Sequence, residues 1–564
     1  MTDYIKVQLG SSFLLNAGMC GMVNFLKYNE AVEGTDYVVN PQELLISTDY
    51  IKNNDLPAMY INTAAALIGN DCRLAKAVTK QTRVADLTER IDTLSKTELT
   101  ELHSIYDNFT EMMLKASMLS GYKIIQNYYS DLLPITEEQI KQLKAEKDYS
   151  IKYQLYSEIM KRLEQKPVYT LLVFRQLTYS KLKLFFDGSE FSAKANNNKV
   201  NPMSPTEIFD IDFYQPLLSE LTVAEKKKTH YCIECMTHSA NTKPISFVSD
   251  TTDDVKRKTN HYWNFIADAF VCPTCALMYI MAPLGFAYSG EDCIFVNSNA
   301  NLPNLIAVMN TYKIQQQCDT YASTYTRLFN VFTESKIKML TERFDNFQVV
   351  IKEAGNSTHF KFSVIDVDMI NKLQKGSVFL KWLENKWITV GRKGDSVVRL
   401  SVYNELIDCI MRKRTFYPLI QQVIRYELHD RHDINYVWNM MQLQIIFNGG
   451  NAMEDIKKYA DWSYHEGIKL RARLLEGEHV QIPNDSEKIR GITYRLLNLA
   501  SVNDRTQFID SVLRLYSSIN WTVPSVFARC YGVSDEMFSA ISHSFILGLK
   551  YMNRTSDKEA TNNE

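Results

Sequence analysis

Two CxxC pairs, "YCIECMTHSA" and "VCPTCALMYI", constrain this chain more than any other stretch. They set Cys232, Cys235, Cys272 and Cys275 in the C-x2-C … C-x2-C pattern of a four-thiolate zinc site. In such a site each pair sits on a tight turn that points both sulfurs at one ion, and two turns complete a tetrahedron. About 36 residues separate the pairs, more than a compact zinc finger uses. The spacing predicts a zinc ribbon over about 228–280, with an excursion between its two knuckles. Four thiolates fill every coordination position, so the predicted Zn2+ is structural and not catalytic. The competing readings are two disulfides or a thioredoxin-like redox pair. A reducing compartment argues against the first, and the second wants one CxxC before a helix in a βαβ unit. His238 and His261 lie close enough in sequence to act as ligands, but four cysteines suffice.

The rest of the chain uses cysteine sparingly. Cys20, Cys72, Cys293, Cys318, Cys409 and Cys530 are scattered singly, which in a reducing compartment reads as small buried apolar residues. At 564 residues the chain is too long for one ordinary core, and two to four domains are expected. With 45% hydrophobic and 23% charged residues it reads as folded and globular. The net charge of −2 does not announce a nucleic-acid binder, yet a basic groove can be balanced by acidic surface elsewhere. The start "MTDYIKVQLG" lacks a secretory pattern. The apolar run Phe13 to Leu26 is too short to span a membrane and is broken by Asn16, Gly18 and Gly21. A cytoplasmic protein without a membrane partner is expected.

Along the chain, "DYIKVQLG" predicts a strand and "NAGMCGMVNFLKY" a small-residue helix packed closely on a neighbour. Helical patterns dominate from about Ala58 to Leu119, and again over "TEEQIKQLKAEKDYSIKYQLYSEIMKRLEQ" up to Pro167. "VYTLLVFRQL" and "KLKLFF" are compatible with strands, and the following "DGSEFSAKANNNKVNPMSPTE" has loop composition. "FQVVIKEAG" and "FKFSVIDVD" predict strands joined by a turn at "GNST". Beyond "ITVGRKGDSVVRL" the texture is helical. Four segments there show apolar residues at three- and four-residue spacing, with Ser486, Asp504 and Ser534 as candidate caps. Short joins between them predict an antiparallel bundle. The expected fold class is α+β: a large mixed N-terminal domain over 1–400 with the inserted zinc ribbon, then a helical bundle over 401–564.

No phosphate loop, H-E-x-x-H, G-x-S-x-G or kinase signature occurs. The most tempting catalytic string is "HDRHD", His429 to Asp433. Inside a run that reads as helical, its residues spread around the helix and do not converge on one ion. Basic runs stand at Lys226, Lys227 and Lys228; at Lys256, Arg257 and Lys258; at Arg392 and Lys393; and at Arg412, Lys413 and Arg414. Two of these flank the knuckles, which favours nucleic-acid contacts there.

The opening strand with its Asn-Ala-Gly helix, the central double CxxC and the helical C-terminus together resemble the CRISPR-associated CXXC–CXXC family, the large subunits of type I-B Cascade complexes. The resemblance implies a non-enzymatic subunit at the crRNA 5′ end. Such a subunit reads the protospacer-adjacent motif of target double-stranded DNA, supports duplex opening and recruits the helicase–nuclease. Its implied partners are crRNA, the Cascade backbone subunits, the subunit at the crRNA 5′ end and a small helical-bundle subunit. Motif reading needs polar side chains on a loop that can enter a groove. The candidates are Lys194, Asn196, Asn197, Asn198 and Lys199. In the family the bundle lies near the displaced strand, which makes Lys457, Lys458, Lys469, Arg471, Arg473, Lys488, Arg490 and Arg495 candidate phosphate contacts. Gly449-Gly450, encoded GGN-GGN shortly before Met453, is compatible with an internal ribosome-binding sequence. A start at Met453 would give a separate bundle over residues 453–564. The rival classes are a metal-dependent nuclease using His429–Asp433 and a zinc-ribbon scaffold that binds only protein.

Overall fold

The computed structural model describes residues 3–10, 12–186, 203–223, 230–249, 269–289, 292–297, 301–318, 346–352, 360–393, 396–430, 435–475 and 487–550. The fold is α+β, mostly helical with several small sheets. Two compact units emerge, one from the described parts of Met1–Gln317 and Phe347–Phe362, the other from those of Cys318–Asn346 and Ser363–Glu564. Residues 363–400 thus cluster with the C-terminal unit, although the sequence places the boundary at 400. The chain passes between units within the strand Lys361–Asp366.

In the first unit, strand Tyr4–Gln8 pairs antiparallel with Glu43–Ser47, from Tyr4↔Ser47 to Gln8↔Glu43. Tyr37–Val39 pairs on the other side of Glu43–Ser47. Ile5 and Val7 are buried while Lys6 and Gln8 are exposed, the two-residue alternation of a strand covered on one face. Ser12 then caps helix Phe13–Tyr28 by accepting from the Leu15 N–H. This helix is buried almost throughout and lies against helix Pro273–Gly285. A Cβ on Gly18 would stand 2.1 Å from the Met278 carbonyl, and one on Gly285 2.0 Å from that of Ala17. Only glycine lets the two backbones approach so closely, as the small-residue pattern predicts. Buried Asn16 donates to the Gly10 carbonyl at 3.0 Å and to Asn297 Oδ1 at 2.9 Å, so its polar head is satisfied.

The "VYTLLVFRQL" stretch corrects the sequence reading: it lies in the helix Lys166–Ser180, and "KLKLFF" opens with a single 3-10 turn, Leu182–Leu184. The physical reason is burial. Helices Leu56–Ile68, Arg73–Val78, Ala116–Tyr128 and Tyr149–Leu163 pack around Lys166–Ser180, and Val168, Leu171, Leu172, Val173, Phe174 and Leu177 are all buried. A helix apolar on every side loses its 3.6-residue pattern and cannot be told from a buried strand by periodicity. Strands Asn346–Lys352 and Lys361–Asp366 form where expected. The former pairs with Asp292–Asn297, which pairs in turn with Ala287–Ser289. The intervening "GNST" lies outside the described residues.

The second unit holds the hairpin Trp387–Lys393/Ser396–Ser401 and the helices that follow it. Asp504 and Ser534 cap their helices as predicted, accepting from the N–H groups of Gln507 and Met537; Ser486 lies outside the described residues. Helices Met453–Leu474 and Asp535–Leu549 pack directly on each other. Ser463 donates to the Ile541 carbonyl and Arg471 to that of Leu549, both at 2.8 Å. Residue numbers therefore rise together along the pair, and the two helices run parallel. Strict up-and-down alternation of four helices would set the first against the fourth, so the expected antiparallel succession does not hold for this pair. The reason lies in Gly467 and Gly548: a Cβ on either would come within 2.4 Å of a backbone carbonyl of the other helix, and this close packing selects the pairing. Among the described residues no helix is long and apolar enough to cross a membrane.

Candidate metal centre

The local sequence folds each CxxC into a turn with its own backbone hydrogen bonds. At the first, the Met236 N–H donates to the Cys232 carbonyl at 3.0 Å and the Cys232 N–H to that of Thr237 at 2.9 Å. Met236, the residue just after the pair, takes a left-handed φ of 57°, which lets the chain turn back into the hairpin. The flanking residues close a small hairpin, His230↔Ser239 and Tyr231↔His238. At the second, Cys272 is the N-cap of helix Pro273–Gly285, and its sulfur accepts from the Cys275 N–H at 3.5 Å. Pro273 suits the first helical turn, where an N–H would have no partner. The two turns are tied by Ile233 N–H to the Phe270 carbonyl, 3.0 Å, and by the pairing of Lys243–Pro244 with Phe270–Val271.

All four sulfurs lie within 4.8 Å of one another, and Cys235 Sγ stands 3.7 Å from Cys272 Sγ. Tetrahedral zinc at about 2.3 Å from each sulfur requires sulfurs about 3.8 Å apart. The donor set therefore fits a metal ion such as zinc. Cys232, Cys272 and Cys275 are buried and Cys235 is exposed. Hydrogen bonds from Cys232, Cys272 and Cys275 pull the Cys235 thiol far below its ordinary range. Hydrogen bonding to Cys232, Cys235 and Cys272 pushes that of Cys275 far above. Four thiolates cannot share so small a space unless a cation neutralises them. A metal held by all four would have no open position, so it would cross-link the two turns without offering a catalytic coordination site.

Glu234, inside the first CxxC, fastens the clip to the core. Its carboxylate is largely buried, which raises its pKa, and it accepts from Tyr279 Oη at 2.5 Å. Tyr279 lies on the helix that packs against Phe13–Tyr28. The sequence reading passed over this pair, although Glu234 is the only carboxylate within either CxxC.

Other candidate residues fall unevenly. Lys194, Asn196, Asn197, Asn198, Lys199, Lys226, Lys227, Lys228, Lys256, Arg257, Lys258 and His261 lie outside the described residues. His238 is exposed on the hairpin, and the metal-binding group is made of the four cysteines without it. Arg412 pairs with Asp408 at 2.8 Å and Lys413 with Asp366 at 3.0 Å, so this basic run serves largely as the polar end of helix Val402–Met411. Arg414 is exposed. Lys457, Lys458, Lys488 and Arg495 are exposed, and Arg490 is half-buried. Lys469 is bound to Glu466 at 2.8 Å. Arg473 lies over the Trp521 ring. Arg471 is half-buried, and burial lowers its pKa; its guanidinium is taken up by the Leu549 carbonyl. His429 and Asp430 close helix Tyr417–Asp430, and residues 431–433 of the tempting string lie outside the described ones. Among the described residues only the four cysteines form a metal-binding group. Of the single cysteines, Cys20, Cys72, Cys293 and Cys530 are buried and Cys409 half-buried. Burial pushes the thiols of Cys20 and Cys530 up to about 12.

The four-cysteine group, set between two small antiparallel strand pairs and fused to the N-terminus of a core helix, could bind a metal ion such as zinc. Residues 225–287, which contain all of it, match the family described as CRISPR-associated protein (Cas_CXXC_CXXC). The resemblance read from the sequence holds at the level of this family. No curated protein and no solved structure matches the chain.

Proposed function

We propose that the chain is the large subunit of a type I-B CRISPR Cascade complex. In this reading it is not an enzyme. It recognises the protospacer-adjacent motif of target double-stranded DNA, supports duplex opening and R-loop formation, and recruits the helicase–nuclease, while guide pairing reads the remaining sequence. The observation that carries the reading is the family match across the cysteine clip. A closed metal site supports a binding role, because it offers no position for water or substrate. Its partners are crRNA, the backbone subunits and the subunit at the crRNA 5′ end. A small subunit begins at Met453, which is also the first residue of helix Met453–Leu474.

The test is co-expression with crRNA and backbone subunits, followed by gel shift on target duplexes that differ only in the flanking motif. The chain should co-purify with the complex and shift target DNA in a motif-dependent way, with no cleavage in Mg2+. Binding by the complex that is indifferent to this chain would overturn the reading. Asn197→Ala and Asn198→Ala should relax motif preference. Replacing Met453 with a non-start codon should remove the short product.

A further inference from the structure

A cleft of about 430 Å3 lies in the first unit between helix Arg73–Val78 and helix Lys96–Met113. Arg73, Lys76 and Lys80 line it at positions i, i+3 and i+7, a spacing that puts them on one face of the first helix and the turn beyond it. Asn108, Glu111 and Lys115 line it from the second helix and its end. All four cations are exposed, whereas Ile105, Phe109 and Met112 beneath them are buried.

Nearby arginines show what an ordinary charged surface does here. Arg83 is held by Glu101 at 2.8 Å and Arg90 by Asp86 at 2.7 Å. Arg73, Lys76, Lys80 and Lys115 form no salt bridge within 4 Å among the described residues, and Lys80 acts on Glu101 only through space. Four cations against Glu111 leave the cleft at +3 in a chain of net charge −2. Like charges lining one cleft repel over a Debye length of about 8–10 Å, and a polyanion relieves that repulsion by displacing loosely held ions. Two features choose among polyanions. A small phosphate compound is held by enclosure, but here the cations stand exposed on the rim. A protein partner buries apolar side chains around its ion pairs, but no large apolar side chain between residues 70 and 115 is exposed.

We propose that this cleft seats the phosphate backbone of a nucleic-acid strand and holds it without reading its bases. The arginine can grip a phosphate with two N–H groups, and the apolar floor strengthens each charge contact relative to open water. The choice of nucleic acid rests on the CRISPR-associated role proposed above.

The test uses the full-length chain assembled with crRNA and backbone subunits. Its probes are a fluorescein-labelled target duplex and the single strand of the same sequence, titrated between about 50 and 200 mM salt. Replacing all four cations (R73Q, K76Q, K80Q, K115Q) should reduce the slope of log affinity against log salt by about 2–4 on at least one probe, equally for matched and altered motifs. E111Q should tighten binding of that probe, an effect that misfolding cannot mimic. A slope changed by less than about 1 on both probes, in an assembly that still binds DNA, overturns the cleft and leaves the Cascade reading standing. Loss of a protein subunit from the assembly at unchanged slope overturns it in favour of an acidic protein partner. An assembly that binds no nucleic acid overturns both.

Discussion

Cys235→Ser leaves three thiolates and an open fourth position. The expected result is loss of bound metal and a loss of stability in the first unit that can reach the order of 10 kcal/mol. Metal analysis of the purified protein and thermal melting with and without chelator check it. Full metal occupancy with an unchanged melt would count against the structural clip. A second prediction at this scale concerns His543, which is fully buried. Its Nδ1–H donates to the Ser539 carbonyl at 2.8 Å, leaving Nε2 to accept from the Gln421 amide at 3.0 Å. Burial lowers its pKa from 6.5 to about 4. The folded state therefore favours the neutral ring, and the stability it contributes is complete above pH 6.5. That stability is lost as pH falls from there to about 4, by on the order of 3 kcal/mol. His543→Gln should flatten this acid limb in melts from pH 7 to 4. Residues differ in how openly they announce themselves. The four cysteines are legible because ligand chemistry fixes their spacing, whereas the burial of His543 is created by helices distant in sequence.

For helices, two opposed effects of glycine can be weighed. Alanine is the better helix former by about 1 kcal/mol. At Gly548, however, a Cβ would come 2.0 Å from the Tyr464 carbonyl, and forcing apart a close-packed pair costs about 1–3 kcal/mol or more. Gly548→Ala should therefore destabilise the second unit. Gly491, exposed on helix Glu487–Ser501, meets nothing within 4 Å, so Gly491→Ala should stabilise by about 0.5–1 kcal/mol. Denaturant midpoints of the two variants should move in opposite directions; a shared direction would mean that packing does not decide the Gly548 position. Elements were legible where one face meets water or a side chain caps the start. The strand Tyr4–Gln8 and the helix after Asp504 keep their period, and the helix after Ser534 is marked by its cap although nearly all of it is buried, whereas Lys166–Ser180 is enclosed by helices and has no side-chain cap. The basic cleft escaped notice for a related reason. Contiguous runs such as Arg412–Arg414 catch the eye, but Arg73, Lys76, Lys80 and Lys115 meet only once two helices are side by side.

At the scale of the molecule, the first unit is closed by residues distant in sequence. Helix Phe13–Tyr28 buries its small-residue face on Pro273–Gly285, and Asn16 reaches Asn297. A fragment 1–224 should accordingly remain molten or aggregate, while 1–362, which contains both helices and the clip, should fold. Solubility and near-ultraviolet circular dichroism of the two fragments check this, and a cooperative melt from 1–224 would contradict it. By itself the sequence determined the four-cysteine centre, the α+β class and the helical C-terminus, because ligand geometry, caps and one-sided burial are local constraints written at short spacing. Tertiary structure alone decided that Lys166–Ser180 is a helix, that helices Met453–Leu474 and Asp535–Leu549 run parallel, and that four scattered cations share one cleft. Each depends on which surfaces meet, and for Lys166–Ser180 burial on nearly all sides also erases the pattern that would have announced the helix.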